Sequence, residues 1–306
     1  MRLFVLMLFI APILSATNNF TKIVYTGNHD IIRIVVPINI INNHRSGQAT
    51  VNRGLFFFFV EADLSNGKDY KGLYVFNNGT VTKLLDDGTD VTTTNNETDQ
   101  AFFATKRGIY VYNYEKNTAN KYGNFNEDLI SIANVKGNDA IFVLTKDKKV
   151  LKIVDHGNKK IKTNLANVDQ IMLDYSNNLY FLIGKDPYVV TARGVKKVEG
   201  LPANPNYVGL ANDVVSVDEG VLFISDNRIF EIAKNGTAKK FTKNEFNEMN
   251  QGNEFKGTPT AISMEAIIVN YYAYDKKIYE SYVTEAYFST IDSAIESFLE
   301  KFGITL

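Results

Sequence analysis

The segment SVDEGVLFISDNRIFEIAKNGTAKKF, Ser216–Phe241, decides the fold. Its apolar run Val221–Ile224 stops at Asp226-Asn227, and a second apolar run begins at Ile229. The Asn-Gly-Thr triplet at Asn235 then turns the chain into a short third run. Apolar runs of four to six residues cut by Asn, Asp and Gly read as antiparallel strands joined by tight turns. The same pattern recurs in AFFATKRGIYVYNYEKNTANKY (Ala101–Tyr122), AIFVLTKDKKVLKIVDHGNKKI (Ala140–Ile161) and NLYFLIGKDPYVVTARGVKKV (Asn178–Val198). An earlier copy joins LFFFFVEAD (Leu55–Asp63) to GLYVFNNGTVTKLL from Gly72, and a later one reads AIIVNYYAYDKKIYES (Ala266–Ser281).

The residues ending the first strand of each copy are Glu61, Thr105, Thr145, Gly184, Ser225 and Asn270, so the repeat returns every 39 to 45 residues. A period near 40, with several strands per unit, marks a β-propeller, in which each unit is one sheet that must pack on its neighbours. Leu129–Ala133, Ile171–Asp174 and Val214–Val217 are candidates for innermost strands. The last copy lacks a strand, and Lys22–Tyr25 or Ile31–Val35 can supply it, closing the ring and hiding both sheet edges. The expectation is an all-β, six-bladed propeller over residues 17–285. Five or seven blades, or a pair of β-sandwiches, are the alternatives. In STIDSAIESFLEKFG (Ser289–Gly303) apolar residues fall at helical spacing, so residues 286–306 are expected to form a short amphipathic helix packed on the propeller. Thr242–Gly252 reads as a short helical insertion.

The N-terminus sets the compartment. Arg2, the apolar run Leu3–Leu14 and the small pair Ser15-Ala16 have the form of a secretory signal peptide over residues 1–16. Four Asn-x-Thr sequons, at Asn19, Asn78, Asn96 and Asn235, suit an exported, glycosylated chain. No later apolar run is long enough for a transmembrane helix.

Composition excludes several chemistries. With no Cys among 306 residues there is no disulfide, thiolate nucleophile or iron–sulfur cluster. His29, His44 and His156 are too dispersed for a zinc site and read as turn residues. The acidic stretches Tyr122–Asp128 and Asp86–Asp90 lack the terminal Glu of a calcium loop and read as turns. A net charge of −1 gives no field for nucleic acid. Neither a nucleophile elbow nor a phosphate loop is present.

In a propeller, loops from every blade converge at the ends of the central channel. The turns after the second strands, TKRG, TKDKK, GKDP and SDNR, bring Lys106, Arg107, Lys146, Lys185 and Arg228 to equivalent positions, with Asp226 beside Arg228. Set among Tyr and Phe, these charges form a candidate site for a flat anionic ligand. The plainer account is that Lys is common in exposed hairpin turns. A divalent-metal lactonase is the enzymatic alternative, with Asp174, Asn177, Asp213 and Asp226 as candidate ligands. An extracellular propeller that binds proteins through its rim is the third.

The phrases SVDEGVLFISDNRIFEI and LDYSNNLYFLIGK (from Leu173) look like loose versions of NHL and YWTD-type six-bladed repeats, without their occasional Trp. The chain over residues 17–285 also resembles the ommochrome-binding proteins of lepidopteran haemolymph. The shared features are the signal peptide, Asn- and Lys-rich hairpins such as KNGTAKKF (Lys234–Phe241) and a Cys-free body. That resemblance implies a soluble insect haemolymph carrier for tryptophan-derived phenoxazinone pigments bearing carboxylates, bound non-covalently, with no cofactor and no membrane or nucleic-acid partner. It carries over no binding residues.

Overall fold

The computed structural model describes residues 21–37, 56–94, 100–211, 220–240, 257–263 and 269–282. Strand β1 (Thr21–Thr26) comes first and belongs to the last blade. The first blade is β2 (Asp30–Val35), β3 (Phe56–Asp63), β4 (Asp69–Asn77) and β5 (Thr80–Leu85). The second is β6 (Gly88–Thr93), β7 (Ala101–Thr105), β8 (Gly108–Asn113) and β9 (Thr118–Lys121). The third is β10 (Leu129–Asn134), β11 (Ile141–Thr145), β12 (Lys149–Val154) and β13 (Lys159–Ala166). The fourth is β14 (Gln170–Leu173), β15 (Leu179–Ile183), β16 (Asp186–Thr191) and β17 (Gly194–Lys197). The fifth is β18 (Val208–Ala211), β19 (Gly220–Ser225), β20 (Arg228–Ala233) and β21 (Ala238–Lys240). In the sixth, β22 (Ala261–Ser263), β23 (Val269–Tyr274) and β24 (Lys277–Tyr282) are completed by β1, paired antiparallel from Thr21↔Ser281 to Thr26↔Lys277.

Six blades and the strand shared between the chain's two ends are thus as expected. Lys22–Tyr25 supplies the closing strand, while Ile31–Val35 is the innermost strand of the first blade. Two details differ. The innermost strand of the fifth blade is Val208–Ala211, not Val214–Val217, which lies outside the described residues. Its four residues, one of them Gly209, are too short to give an alternating signal. Asp86–Asp90 is only half a turn, because Gly88 opens β6 and Asp90 is buried on it. The signal peptide, the C-terminal helix over 286–306, the 242–252 insertion and His44 also lie outside the described residues. His29 and His156 sit in bends and turns as expected.

The core explains the composition. The second strand of each blade has a neighbouring blade on both faces, so it reads as a continuous apolar run. In β3 every residue from Phe56 to Ala62 is buried. Six apolar layers result, one per blade junction. The layer between the sixth and first blades is aromatic: Phe57 stacks on Phe76 at 4.7 Å between centroids and lies 4.8 Å from Tyr271. Outermost strands have one dry face at most, and β9 and β13 are largely exposed. Between the second and third blades the backbones nearly touch. Gly123 has φ +61°, and a Cβ there would lie 2.4 Å from the Gly157 carbonyl.

Candidate functional site

Innermost strands all run the same way, from an upper end, where the chain enters each blade, to a lower end. Turns between second and third strands also fall at the upper end. In the first three blades the innermost strand carries a β-bulge at the same place, at Ile32, Thr89 and Ile130. A bulge resets the direction of the residues beside it. Here it sets Arg33, Asp90 and Ser131 against the channel.

These residues begin a belt that joins every blade to the next. Asp90 Oδ2 accepts from Ser131 Oγ at 2.7 Å and from the Ile132 amide at 3.0 Å, while Oδ1 accepts from the Val91 amide at 2.8 Å. Arg33 Nε lies 3.1 Å from Asp90 Oδ1, with both side chains 11% exposed. That contact is off the N–H axis, since Arg33 Nε has no hydrogen-bond partner among the described residues, so the pair is Coulombic; Nη2 donates to Val91 O at 3.4 Å. Thr89 Oγ1 donates to Leu129 O at 2.8 Å. Ser131 Oγ is also 3.4 Å from Ile171 O. Gln170 holds Leu210 at both ends of its amide, donating at 3.0 Å and accepting at 2.9 Å. Tyr207 donates to Thr260 O at 2.8 Å, and Thr260 Oγ1 to Ile31 O at 2.6 Å, which closes the ring.

Two cavities meet at Arg33, which lines both. The upper one has about 730 Å³ of non-atom space, part of it open to solvent, and touches the innermost strand of every blade. Its lid comes from the long β3–β4 turn of the first blade, which contributes Leu64, Lys68 and Tyr70. Lys68 is an exposed residue whose side chain lines the cavity mouth, where the channel walls take part of the water from its ammonium. Desolvation therefore holds its pKa below the usual lysine value, against the opposing pull of Asp90 and Asp169. Lys68 makes no hydrogen bond among the described residues. Both carboxylates are engaged elsewhere: Asp90 in the belt, Asp169 with Lys148 at 2.7 Å and the Gly184 amide at 2.6 Å. Burial and the charges of Asp90 and Asp128 raise the Tyr70 phenol, and burial pushes Tyr207 up to about 12, so both stay neutral donors at physiological pH.

The sequence-derived site residues lie at this same upper end, on four successive blades, but on the outer shoulder of the mouth. Most tie a turn to the segment leading into a neighbouring or the same blade. Arg107 makes a two-pronged bond to Asp87, at 2.7 and 3.0 Å, which lowers the Asp87 pKa. Lys146 stands 3.6 Å from Asp128. Lys185 donates to Pro205 O at 2.6 Å. Asp226 accepts from the amides of Asn206 and Tyr207 at 2.9 and 3.0 Å. Lys106 and Arg228 are exposed. Sequence reading missed Lys68, Arg33, Asp90 and Gln170. The available signal was weak: Asp90, Ser131 and Ile171 are spaced 41 and 40 residues apart, a period seen only after alignment of the blades.

The candidate metal ligands do not converge. Asp174 is at the lower end, where it accepts from the Ser176 and Asn178 amides, the Asn178 side chain and Tyr180. Burial raises its pKa in spite of those bonds. Asn177 clasps the Lys136 backbone, and Asp226 is at the opposite end. Asp213 lies outside the described residues, among which no cluster of three or more acidic or His side chains could hold a metal ion. Of the sequons, Asn78 and Asn235 occupy exposed turns on the lower rim, and Asn19 and Asn96 lie outside the described residues.

No family model matches the chain, and neither does any curated protein. Among solved structures it is similar to streptogramin B lyase, at 13% identity and a TM-score of 0.56, covering 87% of this chain and 98% of that one. It is also similar to an auxiliary nutrient-binding protein from Bacteroides thetaiotaomicron, at 10% identity and a TM-score of 0.56, over 84% and 70% of the two chains. PorZ, a surface component of the type-IX secretion system of Porphyromonas gingivalis, matches at 12% identity and a TM-score of 0.50, over 87% of this chain and 38% of that one. At such identities the likeness is one of fold.

Proposed function

We propose that this chain is an exported propeller that binds a small organic anion, without chemistry, at the upper mouth of its channel. One observation carries the reading: Lys68, at the mouth of the cavity that touches every blade, has a partly desolvated ammonium that makes no hydrogen bond among the described residues. A partly desolvated cation without a donor–acceptor contact gains most from a ligand that brings a carboxylate or similar group. Tyr70 and Tyr207 line the same cavity and offer ring faces to a planar molecule, while their hydroxyls donate to Ile130 O and Thr260 O. A carboxylated phenoxazinone of the ommochrome class, the ligand that the sequence resemblance implies, has this chemistry. Secretion fits the charged and apolar start of the chain and the exposed Asn78 and Asn235 turns.

The test is a visible-absorption titration of the full-length secreted protein with an ommochrome. Saturable binding that weakens about tenfold or more in Lys68→Gln supports the reading, since hydrogen bonds to charged groups are worth about 1.5–3 kcal/mol. Binding that survives Lys68→Gln but fails in Lys185→Ala, Arg228→Ala moves the site to the shoulder. Absence of any spectral change removes the pigment.

A lowered lysine pKa is also what a proton-abstracting amine needs, which gives an enzymatic reading one foothold. Turnover of the bound anion by wild type, abolished in Lys68→Gln, would favour that reading.

A further inference from the structure

Two of the large apolar side chains that stand exposed among the described residues, Ile161 (44%) and Val195 (52%), lie on the facing walls of one junction. Cross-strand register shows this. Ala133, Phe142, Lys152 and Ile161 are successive partners across the third blade, so they share one face. Ala133 and Phe142 belong to the apolar layer against the fourth blade, which fixes that face. On the fourth blade Val195 pairs with Val190, and Val190 and Tyr188 belong to the same layer. Tyr188 is held by stacking on the buried Phe181, centroids 5.4 Å apart.

The neighbouring grooves are shut at their outer ends. Between the second and third blades, Asn124 donates to Gly157 O at 3.2 Å, and Lys160 pairs with Glu127. Between the fourth and fifth, Glu199 and Thr237 form a β-bridge, and Lys196 donates to Asn235 O at 3.0 Å. Between β13 and β17 no hydrogen bond or ion pair crosses the gap among the described residues. The open groove is also cationic. The Lys152 ammonium stands over the Phe142 ring at 5.8 Å, and neither it nor Lys159 has a carboxylate partner among the described residues. Lysines on exposed outer strands discourage edge-to-edge pairing. That role explains a cation beside the edge, but not exposed Ile161 and Val195 on facing walls.

We propose that the outer groove between the third and fourth blades docks an extended, acidic segment of a partner protein. Its apolar side chains fill the space between Ile161 and Val195, and its carboxylates meet Lys152 and Lys159. Apolar walls with a basic rim select a peptide in which apolar residues alternate with Asp or Glu. A sulfated polysaccharide would use the lysines and leave the apolar pair uncovered. This site is independent of the channel.

The experiment is to pan a phage-displayed random dodecapeptide library on the full-length protein, then measure enriched peptides by fluorescence polarisation. The expected consensus combines Leu, Ile or Phe with Asp or Glu. Affinity should fall tenfold or more in Ile161→Asp and in Lys152→Glu, while the ommochrome titration of Ile161→Asp stays at wild type. Val195→Asp replaces Ile161→Asp if the latter melts early. Failure to enrich peptides, a consensus without acidic residues, affinity unchanged in both variants, or binding of heparin fragments in place of peptides would each overturn the proposal.

Discussion

Replacing Asp90 with Ala tests whether the belt around the channel holds the blades in register. The carboxylate takes hydrogen bonds from Ser131 and the Val91 and Ile132 amides, and faces Arg33, whose side chain is only 11% exposed. Its removal leaves a nearly buried guanidinium without a counter-charge, a loss worth about 3–5 kcal/mol for buried pairs. Two effects reduce it: Ser131 can turn toward Ile171 O, 3.4 Å away, and Arg33 keeps Val91 O. The expected loss is therefore near the lower bound, about 3 kcal/mol. With a urea slope of about 3 kcal/mol/M, the midpoint should fall by about 1 M. The chain has no Trp, so unfolding is followed by tyrosine fluorescence and far-ultraviolet circular dichroism. Arg33→Met should rescue part of the loss, because it removes the orphaned charge, with a coupling of about 1–2 kcal/mol in the double-mutant cycle. A midpoint within 0.3 M of wild type (about 1 kcal/mol on that slope), or additive single variants, would show that the belt is incidental.

Gly123→Ala drives a Cβ to 2.4 Å from the Gly157 carbonyl at φ +61°, so it should cost about 2–4 kcal/mol and lower the thermal midpoint. Arg107→Ala should leave ommochrome affinity unchanged and raise the Asp87 pKa toward the ordinary value, read by NMR titration, since the guanidinium is engaged by that carboxylate. Lys68 titrates below the usual lysine range, so anion affinity should fall with rising pH earlier than an ordinary lysine would allow. Its stability effect has the opposite sign. The unfolded chain binds the proton more tightly, so stability should rise as pH increases from the folded pKa to the unfolded one, and Lys68→Gln should flatten that rise.

The blades were legible because their second strands are dry on both faces. FFFFV in β3 and VLFIS in β19 announce themselves without any alternation to decode. Innermost strands were harder: Val208–Ala211 has only four residues, one of them Gly, and others carry polar residues such as Asp90 and Ser131 that serve the channel. Asp90 shows why. In sequence DDGTD reads as a turn, and only the bulge at Thr89 and the partner Ser131, 41 residues on, make it a buried hub. The cationic turns share one end of the ring, but sequence cannot see that Asp87, Asp128 and Pro205 O lie waiting for them. Lys68 was invisible, since a lysine in the loop SNGK carries no mark of the channel it covers.

The seam between β1 and β24 has a consequence for the order of events. Thr21 finds Ser281 only after all the intervening chain has been made. In a chain made from its N-terminus, five blades can form before β24 exists, and until then β1 has nothing to pair with. Joining segments so far apart in sequence is entropically costly and slow. The last step of maturation is therefore a ring closure of the whole molecule. Once made and until that closure, β24 offers its bare edge to any passing strand, another molecule's β1 included, so a high concentration of newly made chain should favour interlocked dimers.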